Sequence, residues 1–144
     1  MLSYAIFTVL VLAISATPVV YKDCGSVKGS INSIDVSSCA TEPCQFRRGT
    51  NISVTINFKA NEAVTGATTV VHGIIAGVRV PFPVPSDACK NMACPIASGA
   101  SVSYTNVVFV QPVYPEIQLV VQWEVKDQAG NDLVCFVIPV QITS

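Results

Sequence analysis

Residues 51–59, Asn-Ile-Ser-Val-Thr-Ile-Asn-Phe-Lys, alternate polar and apolar side chains without a break. Successive side chains of a strand point to opposite faces, so Ile52, Val54, Ile56 and Phe58 share the buried face of a half-exposed strand. Residues 116–126 repeat the pattern, with Ile117, Leu119, Val121, Trp123 and Val125 inward and Glu116 and Glu124 on the solvated face. The run Asp-Gln-Ala-Gly-Asn-Asp at 127–132 is turn chemistry and joins this strand to a last one, 133–142, as a hairpin. Further strands are predicted at 27–36, 67–75, 78–80 and 102–110, and no stretch has a helical period. About seven short strands separated by turn signals predict an all-β chain: an immunoglobulin-like, two-sheet antiparallel β-sandwich. The segment Val80-Pro81-Phe82-Pro83-Val84-Pro85 cannot be a central strand, because its prolines lack the amide donor. It reads as a stiff apolar loop, either a rigid connector or a wall presenting Phe82 to a ligand.

Composition fits one such domain. The 144 residues are 51% hydrophobic and 12% charged, enough apolar surface for a buried core and too much for a disordered chain. A net charge of -1 argues against a nucleic-acid partner. The charges are unevenly placed, however: none precedes Lys22, and the apolar run 4–13 is followed by Ile14-Ser15-Ala16. That is the pattern of a secretory signal peptide, residues 1–16, cleaved after Ala16 and leaving 17–144 as a single domain. A membrane anchor needs about 20 apolar residues, whereas Thr17 and Pro18 interrupt this run. The expected product is a soluble, secreted monomer.

Six cysteines stand at 24, 39, 44, 89, 94 and 135, an even number in an exported chain and so a framework of three disulfides. Spacing favours Cys39 with Cys44 and Cys89 with Cys94 as tight loops, which leaves Cys24 for Cys135. The competing reading is a four-thiolate zinc site, disfavoured by the oxidising export route, which leaves few free thiols.

Catalytic chemistry finds no foothold. The single histidine, His72, lies in the apolar stretch Val70-Val71-His72-Gly73-Ile74-Ile75 and reads as structural. No nucleophile elbow, phosphate-cradling glycine loop or metalloprotease helix is present, so neither an enzyme nor a metal or other cofactor is expected. Arg47-Arg48 is too short for a nucleic-acid patch, though it could meet anionic lipid. Asn51-Ile52-Ser53 is the chain's sole N-glycosylation sequon, with Asn51 outward. Alternation alone leaves open whether the inward aliphatic residues fill the space between the sheets or surround an apolar cavity.

Several segments in order resemble the Niemann-Pick type C2 family: Tyr21-Lys22-Asp23-Cys24-Gly25-Ser26, Val70-Val71-His72-Gly73-Ile74, the proline loop 80–85, Cys94-Pro95-Ile96, Tyr114-Pro115 and Leu119-Val120-Val121-Gln122-Trp123. The resemblance implies an MD-2-related lipid-recognition domain, a sandwich that holds a sterol or other lipid between its sheets and carries it through water, with the same three cysteine pairs. It implies ligand contacts at Phe82, Val110, Tyr114 and Pro115 near the mouth, and at Val36 and Val54 deeper. The alternative it leaves is an accessory module that presents a lipid to a membrane receptor. Phe136, where some sterol carriers have tryptophan, and Val113, where some have glutamate, point to a tolerant carrier of sterols, fatty acids and esters. Arthropod members of the family resemble such general carriers. The expected partners are a hydrophobic small molecule and, transiently, a membrane or membrane receptor, in extracellular fluid or the lysosomal lumen.

Overall fold

A computed structural model describes residues 16–144, so the predicted signal segment up to residue 15 lies outside the described residues. The strands in chain order are β1 (Ala16–Pro18), β2 (Lys22–Asp23), β3 (Gly29–Ser37), β4 (Cys44–Arg47), β5 (Asn51–Ala60), β6 (Ala67–Ile75), β7 (Val78–Pro81), β8 (Ser101–Phe109), β9 (Gln118–Asp127) and β10 (Asp132–Thr143). They form two sheets. One has four strands in the order β1-β3-β5-β8. The other has six, β2-β10-β9-β6-β7, with β4 also paired to β10.

The long strands follow the alternation predicted for them. In β5, Ile52, Val54, Ile56 and Phe58 are buried, and they meet Val71, Val121, Trp123, Val125 and Phe136 from the opposite sheet in one core. Each turn has its own local cause. Ala76 and Gly77 both adopt positive φ, 50° and 82°, between the paired residues Ile75 and Val78, the geometry that matches a two-residue connection to strand twist. In the β9-β10 turn, Asp127 Oδ1 accepts the amides of Ala129 and Asn131, both at 2.9 Å. That aspartate therefore builds the hairpin that its sequence context predicts.

Three strands were not legible. β1, β2 and β4 have only 3, 2 and 4 residues, too few for an alternation to register. β4 also departs from the all-antiparallel expectation: it runs parallel to β10, Cys44 opposite Val140. A 3-10 turn at Ala88–Lys90, capped by the Asp87 side chain on the Cys89 amide (3.1 Å), is the one helical element among the described residues. β9 starts at Gln118, two residues later than predicted, because Pro115 and the bond from Ile117 N to Pro115 O (3.0 Å) form a turn there. All six cysteines are paired, Cys24–Cys135, Cys39–Cys44 and Cys89–Cys94. Disulfides thus take the sulfurs that a zinc site would have needed.

Candidate functional site

At one end of the sandwich lies a cavity of about 340 Å³. Its floor is the inner face of the six-stranded sheet near the strand ends: Gly73 and Ile75 of β6, Leu119 of β9 and Ile142 of β10. Gly73 leaves room on this floor, since a Cβ there would come within 2.9 Å of Leu119 Cδ1 and push that side chain aside. One wall is the proline strap, where Pro81, Phe82 and Pro83 face the space; the other is Tyr114, Pro115 and Ile117. The strap is held where it matters, because the Phe82 amide donates to Val71 O at 2.9 Å. Across the mouth, Phe82 and Tyr114 meet edge to face with ring centroids 5.5 Å apart, a geometry aromatic quadrupoles favour.

The opposite wall is fixed by Arg48. Its Nη1 donates to the Tyr114 carbonyl (3.3 Å) and its Nη2 to Glu116 Oε2 (3.0 Å), while Glu116 Oε1 accepts from Ser144 Oγ (2.8 Å). Arg48, which from the sequence could meet anionic lipid, and Glu116, expected on the solvated strand face, therefore brace the rim. Arg47 beside them is exposed. Among the described residues that line the cavity, Tyr114 is the one with a titratable side chain; the rest offer apolar contact.

The structure brings together three of the six predicted contact residues, Phe82, Tyr114 and Pro115. It places Val36, Val54 and Val110 elsewhere, at 0%, 2% and 0% exposure inside the packed core and outside the cavity wall. The family resemblance named all three; period-two alternation put Val54 on the inward face but could not say which end of the sheets stays open. Ile117 and Leu119 belonged to the inward set for the same reason, and Gly73, Ile75 and Ile142 carried no signal of their own. Phe136 is fully buried and stacks on Trp123, centroids 6.4 Å apart and planes 8° apart, away from the cavity. Val113 stands beside the rim and is 85% exposed.

The far end is held by polar as well as apolar contacts. Thr69 of β6 and Tyr104 of β8 join the two sheets through their hydroxyls at 2.7 Å, and Asn106 Nδ2 donates to the same phenol oxygen at 3.0 Å. All three are buried, and burial pushes the Tyr104 phenol pKa up.

On the outer face of the six-stranded sheet, Glu124 corrects the expectation of a solvated carboxylate. It is 7% exposed because Lys126 Nζ (3.2 Å) and Arg79 Nη2 (3.6 Å) cover it. Lys126 also reaches Asp132 at 3.2 Å, and burial together with the neighbouring Glu124 raises the Asp132 carboxyl to about 6. These acids approach the Cys135 sulfur, but that sulfur is bonded to Cys24, and the Lys126 ammonium bridges the two carboxyl groups. The cluster is an ion-pair network. His72 lies on this same face, half-buried, its Nδ1 3.1 Å from Arg79 Nη2.

The ML-domain family model matches residues 18–142. The chain is 47% identical over 137 residues to the mouse protein named NPC intracellular cholesterol transporter 2, covering 94% of this chain and 92% of that one. It is 35% identical over 147 residues to the fruit fly (Drosophila melanogaster) protein named NPC intracellular cholesterol transporter 2 homolog a, covering 99% of each. The crystal structure of a Niemann-Pick type C2 protein from the Japanese carpenter ant superposes with a TM-score of 0.81 at 28% identity, over 87% of this chain and 100% of that one. The chain belongs to the ML-domain family, within its Niemann-Pick type C2 group.

Proposed function

We propose that the protein is a secreted lipid carrier that takes the apolar part of its cargo into the cavity between Phe82 and Tyr114 and shields it from water during diffusion. The observation that carries this reading is the cavity itself: about 340 Å³, walled by proline, aromatic and aliphatic side chains with no charged group among them. That volume lies at the lower end of the range of about 300 to 1,000 Å³ typical of small-molecule sites. It suits a ring system or part of an acyl chain. A longer tail extends further by parting the sheets at Val36, Val54 and Val110, which is how those three positions would join the site.

Magnitudes permit binding without a charged anchor. A 17-methylene tail yields about 14 kcal/mol on full burial, against an association cost of about 4 to 15 kcal/mol. Partial burial leaves a micromolar carrier that releases cargo where a membrane competes for it. A carboxylate or hydroxyl head group stays at the mouth in water, because nothing inside would compensate its desolvation. The role is binding, not catalysis. The cargo is a sterol, as the names of the mouse and fly relatives suggest, or a fatty acid or ester, because apolar contact discriminates by only about 1 to 3 kcal/mol per methylene-sized mismatch.

Three disulfides fit an oxidising, extracellular route, and among the described residues no helix is long and apolar enough to cross a membrane. We read the protein as a monomer that meets membranes transiently at its rim, and Asn51 as glycosylated on export. Displacement of a fluorescent acyl probe by oleic acid and by cholesterol, in parallel, tests the specificity. Both are expected to compete. Displacement by cholesterol alone, with oleic acid inert at hundredfold higher concentration (about 2.7 kcal/mol), would make this a sterol-specific carrier.

A further inference from the structure

β8 is an edge strand of the four-stranded sheet, and its nine residues, Ser-Val-Ser-Tyr-Thr-Asn-Val-Val-Phe, contain neither a charge nor a proline. Those are the usual protections of an edge. Part of the free backbone is covered in another way: the Thr105 amide donates to Asn91 O (3.1 Å) and the Val107 amide to the Asn106 side chain (2.8 Å). Its outer side-chain face is not covered. Val107 is 46% and Phe109 43% exposed, and Phe109 is the one exposed aromatic side chain among the described residues.

Register places the sequon against this patch. Asn51 lies directly opposite Phe109 on the neighbouring strand, and Ser53 lies opposite Val107. Both asparagine and phenylalanine are exposed, on the face away from the core. Opposed side chains on one face have Cβ atoms about 4.5 to 5.5 Å apart, and diagonal neighbours about 7 to 8 Å. Phe109 is thus in reach of the first sugar attached to Asn51, with Val107 as the diagonal neighbour on the same face.

We propose that Phe109 and Val107 are the seat of an N-linked glycan on Asn51, whose proximal sugar packs its apolar C–H face on the Phe109 ring and covers the patch. The inference rests on the reading of Asn51 as glycosylated during export. In that transfer the Asn51 Nδ2 forms a bond to the anomeric carbon of a lipid-pyrophosphate-linked oligosaccharide. The carbon–oxygen bond to the pyrophosphate breaks, the amide gives up a proton, and the lipid pyrophosphate leaves. The weakly acidic C–H groups then meet the negative face of the ring, while the sugar hydroxyls turn to water. An apolar surface that would otherwise invite association becomes part of the fold.

The test uses the full chain secreted from insect cells as wild type, N51Q, F109S and the double variant, with intact mass and thermal unfolding. Wild type is expected to carry a glycan mass that N51Q lacks, and to unfold about 2 to 6 °C higher than N51Q. Endoglycosidase trimming to a single N-acetylglucosamine should retain that difference, because the proximal sugar makes the contact. In the F109S background the effect of N51Q should vanish. Absence of any glycan on Asn51 overturns both the glycosylation reading and the seat. A glycan present, with N51Q costing the same in both backgrounds, overturns the seat alone. A glycosylated dimer that F109S dissociates also overturns it, since a second copy would then occupy the patch.

Discussion

The two ends of this sandwich are made from the same strands by different means. At one end, β6, β8, β9 and β10 supply Thr69, Tyr104, Trp123 and Phe136: the Thr69–Tyr104 hydroxyl bond and the edge-to-face contact of Tyr104 with Trp123 join the sheets, and Phe136 stacks on Trp123 within one of them. At the other, the same β6, β9 and β10 end in Gly73, Ile75, Leu119 and Ile142, and the facing wall is a proline strap and the Tyr114 loop instead of a second sheet. A glycine and a rim built on loops leave volume that a paired strand would fill. The packed end therefore sets stability and the open end sets binding, so substitutions at the two should separate cleanly.

The largest effect is expected from the Cys24–Cys135 bridge, which ties β2 to the packed part of β10 across a separation of 111 residues. On the chain-entropy model its removal as C24S/C135S costs about 4 to 5 kcal/mol, against about 2 kcal/mol for C39S/C44S. Denaturant unfolding of the two variants checks the order; equal losses would mean that loop length is not what the long bridge contributes.

Next comes Tyr104→Phe. It leaves the buried Thr69 hydroxyl and the Asn106 amide short of a partner and should lower stability by about 1 to 3 kcal/mol with probe binding unchanged. Val110→Phe should behave in the same way, because Val110 is fully enclosed and overpacking costs about 1 to 3 kcal/mol. A Val110→Phe protein with native stability and no uptake would move the site inward from where we place it.

The smallest effect concerns pH. Asp132 titrates near 6 in the folded protein, raised by burial and by Glu124, whereas an unfolded aspartate titrates near about 3.9. Between these values the folded state holds the proton more tightly, so this group's contribution is full below about pH 4 and fades as pH rises through about 6. Solvent screening keeps it under about 1 kcal/mol. The thermal midpoint of D132N is expected to vary less between pH 5 and pH 7 than that of the wild type; identical profiles would assign the titration elsewhere.

The contrast between the ends also explains what could be read from the chain alone. Period-two alternation at 51–59 and 116–126 set the faces of β5 and β9, and even cysteine spacing limited the pairing, because both depend on local geometry. Phe82, Tyr114 and Pro115 were named through family resemblance and do share the cavity wall. The same resemblance gave Val36, Val54 and Val110, which the structure packs away, since whether facing side chains interlock depends on distance between sheets, and alternation does not encode it. Glu124 followed the outward period yet is buried, because its cover comes from Arg79 on a strand 45 residues away in sequence, at 3.6 Å. Arg48 likewise acquired its role only once Tyr114 and Glu116 folded next to it.

The central claim, that cargo enters between Phe82 and Tyr114, is tested most directly by filling the floor of that space. Leu119 lies on the floor beside Gly73, and Leu119→Phe adds volume where a cavity can accept it. Titration of a fluorescent acyl probe into the wild type and into L119F, with thermal unfolding measured on the same samples, is expected to show at least tenfold weaker binding, about 1.4 kcal/mol, and a midpoint close to that of the wild type. A folded L119F protein that binds the probe as tightly as the wild type would contradict the assignment.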